Sequence, residues 1–206
     1  MATNWTQYRM SALKAAESGK YDEAEAMWQA ALKVAEQYGQ RDARFTVSID
    51  NLANLHFMQS RYKEAEPLYK LALTIRESVL GQEHKDVATS VNNLAAVCFK
   101  QGKYSEAEEL YRRSLTIRRK VLGPQHPEVA KGLHNLALVY HAQKRFQEAE
   151  PLYNECLDIR INIYGMEHPE LITPLKNYAQ LMRATGRDDL AKQMEEVAHL
   201  IVTKHR

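Results

Sequence analysis

The chain has 206 residues, of which 26% are charged and 45% apolar, the balance of an ordinary soluble globular protein. Its formal net charge of +2 is too small to indicate a nucleic-acid or membrane surface, and the first residues contain no apolar run of signal-peptide or membrane-spanning length. The only two cysteines, Cys98 and Cys156, lack the spacing of zinc sites or secreted disulfides, so we expect buried thiols in a cytoplasmic protein.

The sequence is organised by an internal repeat of 42 residues. Two alanines that stand 12 residues apart mark each repeat, and the first pair, Ala12 and Ala24, precedes the next pair by 41 residues. Repetition at such an interval is typical of stacked helical hairpins, none of which can bury its apolar face alone. The alanine pairs define five repeats, at approximately residues 3–40, 42–81, 84–123, 126–165 and 168–204.

Each repeat is predicted to form two helices. In repeat 3, apolar residues from Val91 to Cys98 have the spacing of a helical stripe, and Gly102 interrupts the pattern. A second stripe runs from Tyr104 to Ile117, and the segment LGPQHPEV from Leu122 ends it. No segment alternates as a strand does, so the chain is predicted to be all-α. The equivalent joints, LGQEHKDV and YGMEHPEL, begin at Leu80 and Tyr164.

Small and large side chains have separate roles in the predicted hairpins. The paired alanines are expected to face each other, because small residues let two antiparallel helices approach closely, and a larger side chain there would overpack the crossing. One turn beyond the second alanine, a large aromatic residue is expected to fill the space between consecutive hairpins. These aromatic residues are Trp28, Tyr69, Tyr111 and Tyr153.

The last helix, within DDLAKQMEEVAHLIVTKHR, is predicted to cap the stack. Glu195 and His199 stand where Tyr153 and Leu157 would recur, and the helix keeps one apolar stripe while being polar elsewhere. Together with the clean start of the chain, this end favours a self-sufficient single domain, residues 1–206. The predicted stripe consists of Leu190, Met194, Val197 and Ile201.

The repeated motifs carry a family resemblance. The pattern NLA, then G-K-Y-x-E-A-E-x-L-Y, then L-x-I-R-x-x-x-L-G-x-x-H-P-x-V-A is best seen from Asn93 to Ala130. It resembles the 42-residue tetratricopeptide repeats (TPRs) of kinesin light chain. The resemblance implies a right-handed α-solenoid of five helix-turn-helix TPR hairpins, about ten antiparallel helices in all. No sustained heptad pattern is present that would form the coiled coil by which a kinesin light chain joins its heavy chain.

An asparagine recurs in the middle of the first helix of four repeats. The resemblance implies that first helices line a concave groove, where such an asparagine grips the backbone of an extended peptide. A carboxamide suits this task because it offers a donor and an acceptor together. The other interpretation, a structural ladder of hydrogen bonds between neighbouring hairpins, remains open. The four residues are Asn51, Asn93, Asn135 and Asn177.

The residues that share the asparagine face complete the candidate peptide site. Several are cationic in the later repeats, so acidic side chains or a terminal carboxylate are the expected features of the peptide. The alternative is a solvated helix face that happens to hold cations. The predicted groove residues are Asn51, Asn54, Asn92, Asn93, Phe99, Lys100, Lys131, His134, Asn135, His141, Lys176, Asn177 and Arg183.

Other repeated polar residues are interpreted as structural. His84, His126 and His168 recur in the joints between repeats and are assigned to turn chemistry rather than to a metal site, which needs three or four converging ligands. Arg118, which matches Arg76 and Arg160, is expected to form an ion pair with a neighbouring hairpin. The remaining cations of YRRSLTIRRK are assigned to a solvated outer face rather than to nucleic-acid binding, and the glutamates early in the second helices to favourable helix dipoles.

No phosphate loop, nucleophile elbow or paired-carboxylate motif is present. The sequence therefore predicts a non-enzymatic adaptor, without metal or cofactor, that binds a protein or peptide partner and neither nucleic acid nor membrane. The alternative is a structural scaffold that stacks through its terminal hairpins as a weak homo-oligomer. An enzyme is a third option that would require an ordered metal or cofactor in the purified protein.

Overall fold

The structure is a computed structural model that describes residues 4–205, so residue 3, the predicted start of repeat 1, lies outside the described residues. Within this range the chain forms ten α-helices, one 3₁₀ turn and no strand, which confirms the predicted all-α fold. The helices are α1 (Trp5–Glu17), α2 (Tyr21–Glu36), α3 (Ala43–Met58), α4 (Tyr62–Leu80), α5 (Lys85–Lys100), α6 (Tyr104–Leu122), α7 (Pro127–Ala142), α8 (Phe146–Tyr164), α9 (Ile172–Ala184) and α10 (Asp188–Lys204), with the 3₁₀ turn at Pro169–Leu171.

The helices belong to two compact halves, one ending at Lys103 and the other beginning at Tyr104. In the first half, successive helices from α1 to α5 pack against one another. The second half repeats this arrangement from α6 to α10. Four pairs of consecutive helices, α1/α2, α3/α4, α7/α8 and α9/α10, therefore form helical hairpins.

The joint histidines begin helices, as the turn assignment predicted. The Nδ1 atom of His84 accepts a hydrogen bond from the backbone N–H of Asp86 at 3.1 Å, and His126 does the same for Glu128 at 3.1 Å. His168 caps the 3₁₀ turn in the same way, at 3.2 Å from the backbone nitrogen of Glu170. Each ring satisfies one of the backbone donors that a helix start leaves without an internal partner.

The paired alanines are buried as predicted, and all ten of them are 0% exposed. The four aromatic residues are buried as well. Trp28 packs in one cluster with Ala12 of its own hairpin and Leu52 of the next, and the ring of Tyr153 stacks on Tyr178 of the following hairpin with centroids 5.5 Å apart. In the first hairpin the small residues Ala15 and Ala24 pack in one cluster where α1 and α2 meet, and Trp28 and Tyr153 each fill space between consecutive hairpins. Both thiols are buried too, with Cys98 at 1% and Cys156 at 0% exposure.

The apolar stripe of α10 departs from its prediction. Ile201 is buried, but Leu190 and Val197 are 44% and 42% exposed, and Met194 is half-buried. The buried positions are instead Ala191 and Ala198. Because α9 and α10 meet through these small residues, the larger apolar side chains of the predicted stripe lie beside the contact and remain partly uncovered.

Candidate functional site

The four recurrent asparagines lie on the first helices of their repeats, α3, α5, α7 and α9, and each is half-buried. A half-buried carboxamide can exchange hydrogen bonds both with the protein and with a ligand at the surface. The Nδ2 of Asn51 donates a hydrogen bond to the backbone oxygen of Val47 at 2.8 Å, and its Oδ1 takes no part in that bond. The predicted positions are therefore equivalent in burial but differ in their internal hydrogen bonds.

Asn177 contacts a predicted groove residue of the preceding repeat. Its Nδ2 lies 2.8 Å from Nε2 of His134, and since this Nδ2 can only donate, the ring nitrogen accepts. The bond joins α9 to α7, the first helices of two consecutive hairpins. The Asn177–His134 bond is therefore a hydrogen bond between neighbouring hairpins, as the structural-ladder interpretation describes.

His134 is only 8% exposed. Its ring lies 5.9 Å from the ring of Tyr153 and tilted against it. Burial, with the positive charge of Arg160 as a second cause, lowers the pKa of His134 to about 4. The ring is therefore neutral near pH 7 and can accept the Asn177 hydrogen bond.

Two further predicted asparagines differ in accessibility. Asn54 is exposed, and its Oδ1 accepts a hydrogen bond from the hydroxyl of Tyr69 in the same hairpin. Asn92 is only 5% exposed and occupies the repeat position of His134. A position one residue before the recurrent asparagine is rotated about 100° round the helix, so Asn92 and His134 face neighbouring helices and present little surface to a ligand.

The predicted cations divide into two groups. Lys100, Lys131 and Lys176 are exposed. Arg183 is exposed as well, but its guanidinium lies 2.6 Å from Glu195 and 3.6 Å from Asp188, both on α10. Arg183 therefore joins α9 to α10, and the three lysines account for the positive character of the face.

His141 and Phe99 are half-buried at the last turn of their helices. The His141 ring packs edge-on against Phe146 at the start of α8, with centroids 5.6 Å apart, and burial lowers its pKa. Phe57 and Tyr62 form the same contact in the α3/α4 hairpin, at 5.4 Å. This position contributes to packing at the bend of the hairpin.

A small cavity opens in the first half between α3, the end of α4 and the start of α5. Its volume is about 260 Å³, enough for one side chain. Three charged residues, Arg41, Arg76 and Asp86, line part of it, and the rest of the lining is mainly apolar. The apolar part of its lining includes Val47, Ile75, Val79 and Leu80.

A row of ion pairs between hairpins was missed by the sequence analysis. The glutamate that follows the second alanine of a repeat bonds to a basic residue just before the second helix of the next repeat. In the first half, Lys103, followed by Lys70, lowers the pKa of Glu66 to about 2. The signal was present, because both members of each pair recur with the repeat, but the glutamates were assigned to the helix dipole. The pairs are Glu25–Arg61 at 2.6 Å, Glu66–Lys103 at 2.8 Å, Glu108–Arg145 at 2.5 Å and Glu150–Arg187 at 2.7 Å.

The predicted ion pair of Arg118 is confirmed. Its side chain is 2% exposed and lies 2.9 Å from the carboxylate of Glu128, at the start of the next hairpin. Arg160 pairs in the same way with Glu170. Arg76 instead pairs with Asp50 and donates to Ser90 Oγ at 2.6 Å.

Within residues 4–205, no group of three or more His, Cys, Asp or Glu side chains converges as metal ligands. None of the helices in this range combines the length and apolar character needed to cross a membrane.

Comparison with solved structures places this fold among known helical repeat proteins. BtubC (BKLC) from P. vanneervenii is 27% identical, with a TM-score of 0.85 over 97% of this chain and 80% of that chain. A putative kinesin light chain from Podospora anserina is 24% identical, with a TM-score of 0.81 over 100% of this chain and 99% of that chain. The MamA protein is 16% identical, with a TM-score of 0.65 over 99% of this chain and 94% of that chain. The last two likenesses concern the fold alone.

Comparison by sequence identifies the family. No curated protein matches the chain. The family model described as tetratricopeptide repeat matches residues 2–78, 45–120, 86–162 and 128–199. This fold is typically a non-catalytic scaffold, and its members generally bind protein or peptide partners. Since the matches extend from residue 2 to residue 199, the chain belongs to the tetratricopeptide repeat family.

Proposed function

We propose that the chain is a non-enzymatic adaptor that binds a segment of another protein across the first-helix faces of its repeats. The observation that carries this proposal is the recurrence of a half-buried carboxamide at one position of α3, α5, α7 and α9. An asparagine can pair with a peptide unit whatever side chain that unit carries. Each such bond contributes about 0.5–1.5 kcal/mol net, so several bonds and one apolar anchor would give micromolar affinity, about −8 kcal/mol.

The predicted groove residues divide into contact and supporting residues under this proposal. The exposed lysines, Asn54 and the recurrent asparagines of α3, α5 and α7 would meet the ligand, and the remaining residues would hold the face in place. The cavity between α3 and α4, whose lining includes Val47 one turn before Asn51, would take one apolar side chain of the ligand. The contact residues are Asn51, Asn54, Asn93, Asn135, Lys100, Lys131 and Lys176, and the supporting residues are Asn92, Phe99, His134, His141, Asn177 and Arg183.

The exposed lysines favour a ligand with acidic side chains or a terminal carboxylate. Opposite charges attract across the interface and mainly accelerate association. In the second half, Lys131 of α7 lies four residues, about one helical turn, before the recurrent Asn135. A carboxylate of the ligand could therefore meet an ammonium group while the neighbouring backbone meets a carboxamide.

The decisive experiment replaces Asn93, Asn135 and Lys131 with alanine. A binding segment is first mapped on a protein captured by the wild-type chain, then synthesised, and its affinity is measured by calorimetry for both chains. We expect the triple variant to bind at least tenfold more weakly. A matched control, E109A on the exposed side of α6, should bind as the wild type does.

A second arm tests the charge of the ligand. The same segment with its Asp and Glu residues changed to Asn and Gln should lose affinity for the wild-type chain, but much less for K131A/K176A. Unchanged affinity of the alanine triple variant, with circular dichroism showing an intact fold, would reject the groove assignment. The asparagines would then be structural ladder residues.

A further inference from the structure

The outer side of α10 carries an apolar surface that no described residue covers. Leu200 is 66% exposed, and Leu190 and Val197 are 44% and 42% exposed. Met166, in the joint before α9, is 71% exposed and lines the same surface. Leu190, Val197 and Leu200 recur at intervals of seven and three residues, which places them on one side of the helix.

A cavity lies at the C-terminal half of this surface. Its volume is about 520 Å³, and its apolar walls include Met166, Val197, Leu200 and Ile201. Glu167 and Lys204 pair with each other and also line it. The cavity is large enough to receive an apolar side chain from outside, while the N-terminal half of the same helix presents such a side chain, Leu190.

The charges at the two ends of α10 are complementary when two copies of the helix lie antiparallel. Its first turn is acidic, with Asp188 and Asp189, and Lys204 lies in its last turn. Two such helices side by side in opposite directions place acidic turns beside basic turns and also oppose their helix dipoles. A parallel pair would place like charges together.

We propose that α10 pairs antiparallel with α10 of a second copy of this chain, about a two-fold axis near Val197. In this arrangement Met194 faces Leu200 of the second copy. Leu190 then approaches the cavity beside Lys204 of the second copy, and the symmetry creates the same contact twice. One helix pair buries less surface than a standard stable interface, so the dimer is weak and depends on concentration.

This dimer would leave the first-helix faces accessible, because none of its residues belongs to the proposed ligand site. It also differs from end-to-end stacking of repeats. In the earlier repeats, certain positions of the second helix contact the next hairpin. The equivalent residues of α10 are polar: Lys192, Glu195 and His199. The repeat-stacking side of the last hairpin thus carries charges, whereas the adjacent outer side carries the apolar residues.

The first experiment is sedimentation equilibrium of the whole chain over a wide range of concentrations. The wild type should shift from monomer to dimer as concentration rises, and V197E/L200E should remain monomeric. V121E is the matched control, because Val121 is 43% exposed on α6, and it should dimerise as the wild type does. A wild type that stays monomeric at hundreds of micromolar would overturn the proposal, and so would a V197E/L200E variant that dimerises normally.

The second experiment tests the antiparallel arrangement without disrupting the surface. Both native thiols are buried, so an added cysteine can be cross-linked selectively with a short bismaleimide. V197C should cross-link to itself, L190C should not, and a mixture of L190C and K204C chains should give the mixed product. Self-linking of L190C, or failure of V197C to link in a chain that dimerises, would overturn the proposed geometry.

Discussion

The Asn177 carboxamide donates a hydrogen bond to Nε2 of His134 over 2.8 Å, and this bond joins the first helices of two consecutive hairpins. His134 is buried among groups from three helices, with Tyr153 and Arg160 on α8 as neighbours. The acceptor is available only while the ring is neutral. The stability of the second half is therefore linked to the protonation of one buried histidine.

Acidification should destabilise the chain through His134. Its pKa is about 4 in the folded chain and 6.5 for an ordinary histidine, so the unfolded chain binds more protons between these values. The stabilisation is complete above pH 6.5 and is lost as the pH falls towards 4, by an amount on the order of 3 kcal/mol. Urea denaturation at pH 7, 6, 5 and 4.5 measures this loss.

The variant H134N isolates the effect of His134 from the titration of the other groups. The substitution introduces asparagine, which is the residue at the equivalent position 92, and it removes the titrating ring. We expect its free energy of unfolding to change less than that of the wild type between pH 6.5 and 4.5. Equal pH dependence in the two chains would contradict the assignment to His134.

Lys144 makes the bend between α7 and α8 with a φ of 60°, in the left-handed region. The equivalent residue between α9 and α10 is Gly186, with a φ of 75°. The left-handed conformation costs a residue with a Cβ about 1–2 kcal/mol, which exceeds the extra entropy that glycine loses on folding. K144G should therefore raise the free energy of unfolding by about 0.5–1 kcal/mol.

The reverse change, G186K, is the control for this prediction. It should destabilise the chain, because it adds a side chain at the same backbone conformation. Denaturation midpoints of the two variants should move in opposite directions relative to the wild type. A lower midpoint for K144G would show that the lysine stabilises the bend by other means.

Glu108 should contribute more to stability than an exposed glutamate with a similar partner. Its side chain is 17% exposed, and it bonds to Arg145 at 2.5 Å and to the Tyr140 hydroxyl at 3.1 Å. E108A should lower the free energy of unfolding by about 1–3 kcal/mol, because it removes the carboxylate to which both Arg145 and Tyr140 donate. E155A, which removes the 40% exposed partner of Arg119, should cost less than about 1 kcal/mol.

A double-mutant cycle separates the pair energy from other losses. The variants E108A, R145A and E108A/R145A should give a coupling energy of the sign expected for attraction. Raised salt should reduce the E155A effect more than the E108A effect, since exposed charges are screened more strongly. Equal costs for E108A and E155A would show that the pairs between hairpins are ordinary surface ion pairs.

The crossing of α7 and α8 should reject a larger residue at Ala137. This alanine and Ala149 are both 0% exposed, so a leucine must push the helices apart or adopt a strained rotamer. A137L should destabilise the chain by about 1–3 kcal/mol in thermal or urea denaturation. A142L, at an exposed position of the same helix, should change stability little, and a similar loss in both variants would argue against close contact.

The helices and their joints could be predicted because they depend on local chemistry repeated five times. An apolar stripe and glycine or histidine at the joints specify where a helix begins and ends, whatever surrounds it. The paired alanines also predicted a tertiary contact. Small residues at a fixed spacing are useful where two antiparallel helices of a hairpin cross closely. The ion pair of Arg118 was predictable for the same reason of repetition.

The state of each candidate site residue could not be predicted in this way. Asn92 and Asn93 are neighbours in sequence, yet one is buried and the other half-buried, because 100° of helix rotation separates a packed side chain from a surface one. Arg183 bonds to Glu195 of α10, a partner that the repeat pattern did not indicate. Such outcomes depend on which side chain of another helix lies within reach.

The sequence by itself determined the all-α architecture, the repeat length, the helix boundaries and the small residues at each crossing, because these follow from periodicity along one chain. Only the tertiary structure decided that Asn177 bonds to His134, that the second-helix glutamates pair across hairpins and that the α10 stripe is partly uncovered. The physical reason is that hydrogen bonds and burial depend on distances of a few ångströms between residues far apart in sequence, and only the packing of the helices sets those distances.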